Sequence, residues 1–414
     1  MNERGMVIVG AGEAGARTAE RLREQGWAGP ITLIGKEKEA PYERPPLSKA
    51  VLLTDEEPSP AYVVREEKLR ELNVEWLGGS AVAKIDRPSH ELRLEDGRSV
   101  KYERLLLATG ASPRRLTMEG SDLGGALYLR TFADSLAIRA RLLPGKRVII
   151  VGAGFIGLEV AASARERGCE VTVLEVGPRI LMRVLPQEIA SIVEERHRRA
   201  GVAFKLGTGI ARVARAGGEH VITLADGEQL RGETLIIGIG AIPETALAAD
   251  SGLAVDNGIA TDERLATSDP DVFAAGDCCS FPHRLYGGRR MRLEAWRNAV
   301  DQGAHAAESM LGSSAAYEAV PWFWSDQYDL TLQVAGLAAG EATTVGRESA
   351  RGQTLVFHLD GEGRLLAASG VGSPSIAKDI RVAEMLVTRQ AVLDPAKLAN
   401  PDVKLKALLA ESAE

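Results

Sequence analysis

Two stretches of this 414-residue chain have residue types and spacing suited to holding a dinucleotide: Val7-Ile8-Val9-Gly10-Ala11-Gly12-Glu13-Ala14-Gly15, and Val148-Ile149-Ile150-Val151-Gly152-Ala153-Gly154-Phe155-Ile156-Gly157-Leu158-Glu159. Each is an apolar run entering a Gly-x-Gly-x-x-Gly turn. The first glycine of such a turn permits the sharp reversal, and the second lets a pyrophosphate approach bare backbone. The third lets the following helix sit close to the strand, so that its N-terminal amides and dipole face the phosphates. One such pattern is weak, because glycine-rich turns also arise for purely structural reasons. Here each copy is followed by a helical pattern stopping at a glycine, Gly26 or Gly168. A second apolar run then leads to an acid, Glu175 directly after Val171–Leu174 and Glu37 two residues past Ile31–Gly35. A carboxylate there can accept from a ribose hydroxyl. Two dinucleotide sites in one chain imply that one ligand hands something to the other.

The elements that must position these turns follow from composition and pattern. A chain this long should form two or three domains, and with 45% hydrophobic residues it can bury a large core. A net charge of -7 argues against nucleic acid or an anionic membrane as partner. Three cysteines, Cys169, Cys278 and Cys279, are too few for a disulfide framework or a zinc cage, so no metal centre is expected. With an apolar strand starting by Val7 and no run of membrane-spanning length, a soluble cytoplasmic protein is expected.

Beyond the first turn, Pro41-Tyr42-Glu43-Arg44-Pro45-Pro46-Leu47-Ser48-Lys49 reads as a proline-stiffened loop ending in a serine suited to capping a helix. Lys49 is then either a solvated charge or a group brought beside the first ligand. Residues 81–107 alternate as a meander with a turn at Asp96-Gly97, then run into Leu105-Leu106-Leu107-Ala108-Thr109-Gly110. The same plan recurs in the second half, with a turn at Asp226-Gly227 and the run Leu235 to Pro243, so the internal repeat covers whole domains. Val272-Phe273-Ala274-Ala275-Gly276-Asp277 ends in a carboxylate that either caps or accepts from ligand hydroxyls. Five arginines, Arg284, Arg289, Arg290, Arg292 and Arg297, stand against Glu294 alone between 281 and 298, as a solvated face or a docking patch for an acidic protein. Trp322-Phe323-Trp324-Ser325-Asp326-Gln327 opens a third region of strands with helices behind, its tryptophans being core or lying near a cofactor edge.

Taken in order, the first glycine motif, Pro-Pro-Leu-Ser-Lys, Ala-Thr-Gly, the second glycine motif with Glu159, Gly-Asp and Trp-Phe-Trp-Ser-Asp-Gln resemble the single-component FAD-dependent NADH:ferredoxin reductases. That group includes the putidaredoxin, rhodocoxin and biphenyl-dioxygenase reductases. Glu294-Ala295-Trp296-Arg297-Asn298-Ala299 with Gln302-Gly303 looks closer to the dioxygenase branch. The resemblance implies an α/β fold of two Rossmann-like dinucleotide-binding domains with β-meander insertions, glutathione-reductase-like, plus a C-terminal α+β domain. It implies an FAD-binding domain over 1–113 and 244–320, an NAD-binding domain over 114–243 and a C-terminal domain over 321–414.

For FAD it implies Gly10, Gly12, Ala14 and Gly15 at the first turn, then Arg44, Lys49 and Val82. Ala108, Thr109, Gly110, Arg130, Gly276, Asp277 and Trp296 complete that set. Glu37 is expected at the ribose, because the family's usual acid position holds Lys36. For NADH it implies Gly152, Gly154, Phe155, Ile156, Gly157, Glu159, Glu175 and Gly240. Lys49 and Glu159 are expected as an ion pair between two domains that orients nicotinamide against flavin. Glu175 argues for NADH over NADPH, while nearby Arg179 and Arg183 pull the other way. The partner implied is a [2Fe-2S] ferredoxin serving an oxygenase and docking near Arg289, Arg290, Arg297 and Trp324. A flavin disulfide reductase is a poor fit, since residues 1–168 contain no cysteine. The remaining alternative is a flavoprotein redox switch of the apoptosis-inducing-factor type.

Overall fold

The computed structural model describes residues 4–118, 123–338, 342–349 and 352–412. The chain divides into two compact units, one of Met1–Glu43, Pro60–Ser112 and Ile242–Pro321, the other of Arg44–Ser59, Pro113–Ala241 and Trp322–Glu414.

In the first unit the strands Gly5–Val9 and Ile31–Gly35 are buried at every position, as apolar runs covered on both faces of a parallel sheet must be. The sheet runs Val74–Gly78, Ile31–Gly35, Gly5–Val9, Ser99–Leu107, and Val272–Ala274 also pairs with Ser99–Leu107. All of these neighbours are parallel. Val82–Asp86 and Glu91–Leu94 continue it antiparallel as the meander. Its turn forms because Gly97 takes φ +87° while Asp96 Oδ1 accepts from the Arg98 amide at 3.0 Å. The helix Glu13–Glu24 ends where Gly26, at φ +84°, turns the chain away.

Against that helix packs the alanine-rich helix Trp296–Met310. The approach is close enough that a Cβ on Gly303 would lie 2.5 Å from the Ala14 carbonyl oxygen. Thr18 Oγ1 sits 2.9 Å from Ala14 O and 2.8 Å from Gly303 O, so its one hydrogen can serve either carbonyl.

The second unit repeats the plan. Its parallel strands run Ala203–Leu206, Glu170–Glu175, Arg147–Val151, Thr234–Ile237. The antiparallel meander Ile210–Ala216, Glu219–Leu224, Gln229–Gly232 turns at Gly227, where φ is +90°. Val213, Ile222 and Leu224 of the meander share a core with Ile149, Val151, Leu174, Leu235 and Ile237 of the sheet. Each such fully buried aliphatic side chain stabilises the fold by about 1.5–3 kcal/mol.

The C-terminal region adds an antiparallel sheet in the order Trp322–Gln327, Leu330–Gly336, Leu365–Gly372, Thr354–Leu359, Thr343–Glu348. The helix Ile376–Thr388 lies over it, admitted by Gly370, where a Cβ would meet Ile376 Cγ1 at 2.8 Å. The α/β class, the paired dinucleotide folds with meanders and the α+β C-terminal region agree with the sequence expectation. Among the described residues no helix is long and apolar enough to cross a membrane.

Alanine favours a helix interior over glycine by about 1 kcal/mol, yet Gly303→Ala should destabilise the protein by about 1–3 kcal/mol through overpacking against Ala14. Urea denaturation of the two proteins checks this, and an unchanged or raised midpoint would contradict the close approach.

Candidate functional site

The two glycine turns have matching steric logic. Gly10 takes φ +112° and a Cβ there would lie 2.0 Å from Ala108 O; at Gly15 it would lie 2.0 Å from Gly10 O. In the second turn Gly152 takes φ +104°, and the corresponding distances are 2.3 Å from Gly238 O for Gly152 and 2.1 Å from Gly152 O for Gly157. The middle glycines differ: a Cβ on Gly12 or Gly154 would meet nothing within 4 Å. Each is the N-cap of its helix, with no side chain closing the helix end. Outer glycines closed by backbone and a middle one open at a helix N-terminus make a cradle for a phosphate group. These residues therefore fit a pyrophosphate twice.

In the first unit, sheet register brings three separate motifs to one edge. Val9 pairs with Leu107, and Leu107 with Ala274. Gly10, Ala108-Thr109-Gly110 and Gly276-Asp277 therefore all stand just past the C-terminal ends of adjacent parallel strands, where open α/β sheets bind ligands. Thr109 Oγ1 donates to Glu244 O at 2.6 Å, and Gly276, at φ +80°, donates its amide to Gln302 Oε1 at 2.8 Å. Lys36 is exposed, while the half-buried Glu37 carboxylate accepts from the Tyr42 hydroxyl. Val82 is half-buried on the meander and Trp296 opens its helix.

Arg44, Lys49 and Arg130 belong to the second unit, where Arg44 Nη1 donates to Arg130 O at 2.5 Å. In that unit Glu175, at its strand end, accepts from the Ala153 amide at 2.9 Å and the Gly177 amide at 2.8 Å. The acid is thus held at the second glycine turn. Gly240, at φ +110°, follows the strand Thr234–Ile237, and Ile156 is half exposed at the helix start. Arg179 donates to the carbonyls of Ile180, Met182 and Leu185, so its guanidinium is committed to the loop, whereas Arg183 is exposed.

Glu159 is only 6% exposed, and Lys49 Nζ lies 2.8 Å from its Oε2. Both residues fall within the second unit. Ser48 does not cap a helix. Pro45–Ser48 is a 3₁₀ turn, and Ser48 Oγ donates to Glu159 Oε2 at 2.5 Å, because a buried carboxylate needs donors more than a one-turn helix needs a cap. Ser325 Oγ supplies the third donor, to Oε1 at 2.6 Å. The helix Phe155–Glu166 and the strand Trp322–Gln327 meet in step: Phe155 packs edge-on against Phe323 at 4.9 Å, and Glu159 meets Ser325. One turn further on, Ser163 Oγ donates to Ser48 O at 2.8 Å.

Sequence reasoning missed Ser48 and Ser325 as partners of Glu159. The signal available for Ser325 was strand alternation, which puts Phe323, Ser325 and Gln327 on one face and Trp322 and Trp324 on the other. Those two tryptophans stack on each other at 5.4 Å and are half-buried.

The arginine run is less basic than it reads. Arg284 pairs with Glu263 at 2.6 Å and Glu318 at 3.2 Å, Arg292 with Glu294 at 2.5 Å, and Arg297 with Asp301 at 2.9 Å. Arg290 donates to the carbonyls of Ser280 and Thr261. Arg289 is exposed and makes no ion pair among the described residues. All three cysteines are buried and free, and burial pushes each thiol above its usual pKa, which suits inert packing rather than disulfide chemistry.

Residues 4–303 match the family described as pyridine nucleotide-disulphide oxidoreductase, and residues 322–409 match the reductase C-terminal family. The ferredoxin–NAD(+) reductase component of the anthranilate 1,2-dioxygenase system of Burkholderia cepacia is 41% identical over 406 residues, covering 97% of this chain and 98% of that protein. Rhodocoxin reductase of Rhodococcus erythropolis is 38% identical over 407 residues, 98% of this chain and 94% of that one. The solved covalent putidaredoxin reductase–putidaredoxin complex matches with a TM-score of 0.92 at 36% identity, covering 100% of both chains. Two dinucleotide cradles, a full-length likeness to reductase components and a matching reductase C-terminal region establish that the chain belongs to the pyridine nucleotide-disulphide oxidoreductase family, in its ferredoxin–NAD(+) reductase branch.

Proposed function

We propose that the chain is an FAD-dependent NADH:ferredoxin reductase that passes electrons to a [2Fe-2S] ferredoxin serving an oxygenase. The duplicated cradle carries this reading, since it gives a resident cofactor and a coenzyme separate places. Kinship with reductase components along the whole chain favours turnover over the redox-switch alternative. FAD, when bound, accepts a hydride from NADH and gives up electrons singly, which suits a one-electron acceptor.

The FAD-binding part is 1–113 with 244–320, the NAD-binding part 114–243, and the C-terminal part 321–414. Gly12 and its helix N-terminus hold the FAD pyrophosphate, with Gly10 and Gly15 shaping the turn and Ala14 packing behind it. Glu37 holds the adenosine ribose, displaced by one position because Lys36 stands where the family's acid usually is. Arg44, Val82, Ala108, Thr109, Gly110, Arg130, Gly276, Asp277 and Trp296 complete the flavin site. Gly154 and the start of its helix, with Gly152, Phe155, Ile156, Gly157 and Gly240, hold NADH.

Glu175 keeps lone pairs for a ribose diol beyond the two amides it already accepts, and it repels a 2′-phosphate. Lys49, fixed by Glu159, orients the reacting rings, a proximity role that needs no proton transfer from the pair. The ferredoxin docks near Arg289, Arg290, Arg297 and Trp324 through a small, electrostatically steered interface. Because its neighbours already meet carboxylates or carbonyls, Arg289 contributes most of the unbalanced charge.

Lys49→Met should slow flavin reduction by NADH more than about tenfold while FAD stays bound, since the ring orientation it supplies is a proximity effect; stopped-flow traces matching the parent would remove this role. For the coenzyme, kcat/KM with NADH should exceed that with NADPH by at least about tenfold, with Glu175→Gln narrowing the gap. Equal values for the parent protein would take Glu175 out of coenzyme choice. Arg289→Glu should raise the KM for ferredoxin and flatten its dependence on salt. It is the cleaner probe, because changing Arg290 also breaks its bonds to backbone carbonyls. An unaltered salt profile would move the docking surface elsewhere.

A further inference from the structure

Glu159 is the end of a hydrogen-bonded chain that runs along one face of the strand Trp322–Gln327 and reaches the helix Gln187–Arg199. Ser325 Oγ, which donates to Glu159 Oε1 at 2.6 Å, accepts from Gln327 Nε2 at 3.0 Å. Gln327 Oε1 lies 2.7 Å from His197 Nε2, and the Tyr328 hydroxyl lies 3.4 Å from His197 Nδ1. Ser325, Gln327 and His197 are 1%, 5% and 0% exposed, so all three are shielded from bulk solvent.

The direction of every bond is forced from the carboxylate outward. A carboxylate only accepts, so the single hydrogen of Ser325 goes to Glu159, and Ser325 Oγ must accept from the amide nitrogen of Gln327. The amide oxygen then requires a hydrogen on His197 Nε2, leaving Nδ1 to accept from Tyr328. A neutral imidazole satisfies this, and burial holds the His197 pKa below its ordinary value. Donors aligned in one sense polarise each other toward the last acceptor. An amide in mid-chain could pass a proton only through its imidic acid form, so the chain orients rather than relays.

The far end is braced. Tyr328 sits at φ +56°, a region non-glycine residues seldom occupy. Its ring is held edge-on to His197 at 5.0 Å and under the Arg196 guanidinium at 4.2 Å.

We propose that His197, Gln327 and Ser325 are positioning residues for Glu159, fixing the plane of its carboxylate so that one oxygen stays directed at Lys49. The inference rests on the reading of Lys49 and Glu159 as the pair that orients the reaction. A carboxylate's last torsion is soft, and without Ser325 its plane could turn away from Lys49 while one oxygen lost its buried donor.

The effect should fade with distance from Glu159. In the FAD-loaded protein, Ser325→Ala should lower the limiting rate of flavin reduction about tenfold and His197→Phe about threefold, with the dissociation constant for NADH little changed. Ser325→Thr and His197→Gln, which keep a donor at each place, should recover most of the rate. A second readout is independent of turnover. Melting temperatures of the holoprotein carrying His197→Phe, Glu159→Gln or both should be non-additive, since these residues share no direct hydrogen bond and are linked through Gln327 and Ser325. Additive shifts, or reduction at the parental rate in both Ser325→Ala and His197→Phe while Lys49→Met is slow, would overturn the positioning role and leave the ion-pair reading standing. A Lys49→Met protein as fast as the parent would overturn the underlying reading instead. Were His197→Phe to fail to fold, Ser325→Ala, which deletes a single hydroxyl, carries the same test from the other end.

Discussion

An ionised carboxylate removed from water costs several kcal/mol unless charge and hydrogen bonds replace its hydration. Glu159 is such a group, and the local structure of the second unit answers that demand. Lys49 supplies charge, Ser48 and Ser325 supply hydroxyl donors, and each is delivered by a different segment of the chain. Removing one partner of a fully buried pair costs about 3–5 kcal/mol, whereas replacing both by well-packed apolar residues is often neutral. This ties the proline-braced loop, the helix after the glycine turn and the first strand of the C-terminal sheet to one another through a single side chain.

Geometry makes the arrangement possible. Residues four apart on a helix rise about 6 Å, and residues two apart on a strand rise about 6.7 Å. Phe155 and Glu159 on the helix therefore meet Phe323 and Ser325 on the strand in order. The apolar contact fixes the register in which the polar one forms. The next residue on that face, Gln327, is carried one step further and meets His197.

The glycine turns show a different constraint. At Gly10, Gly15, Gly152 and Gly157 backbone carbonyls occupy the space a Cβ would need, whereas at Gly12 and Gly154 that space is open. The closed positions let helix and strand pack; the open ones leave room for a ligand. The helix end beside each open glycine has no capping side chain, so its amides remain available to an anion.

How much of this was legible beforehand depends on the range of the interaction. Turn chemistry at Gly10–Gly15, Gly152–Gly157, Asp96-Gly97 and Asp226-Gly227 is local, and sequence determined it, along with the strands and helices it separates and the repeat of one plan in two units. The pairing of Lys49 with Glu159 was read from family resemblance rather than from residue pattern, and the structure brings them to 2.8 Å. Tertiary structure alone decided the rest. Ser48 looked like a cap because capping is a local option, but a buried carboxylate competes for the same hydroxyl and wins by desolvation. The arginines from 284 to 297 looked like a basic patch because their partners Glu263, Glu318 and Asp301 lie outside that window in sequence. The link from His197 to Glu159 had no sequence signal, since it depends on a strand face and a helix face 130 residues apart meeting in three dimensions.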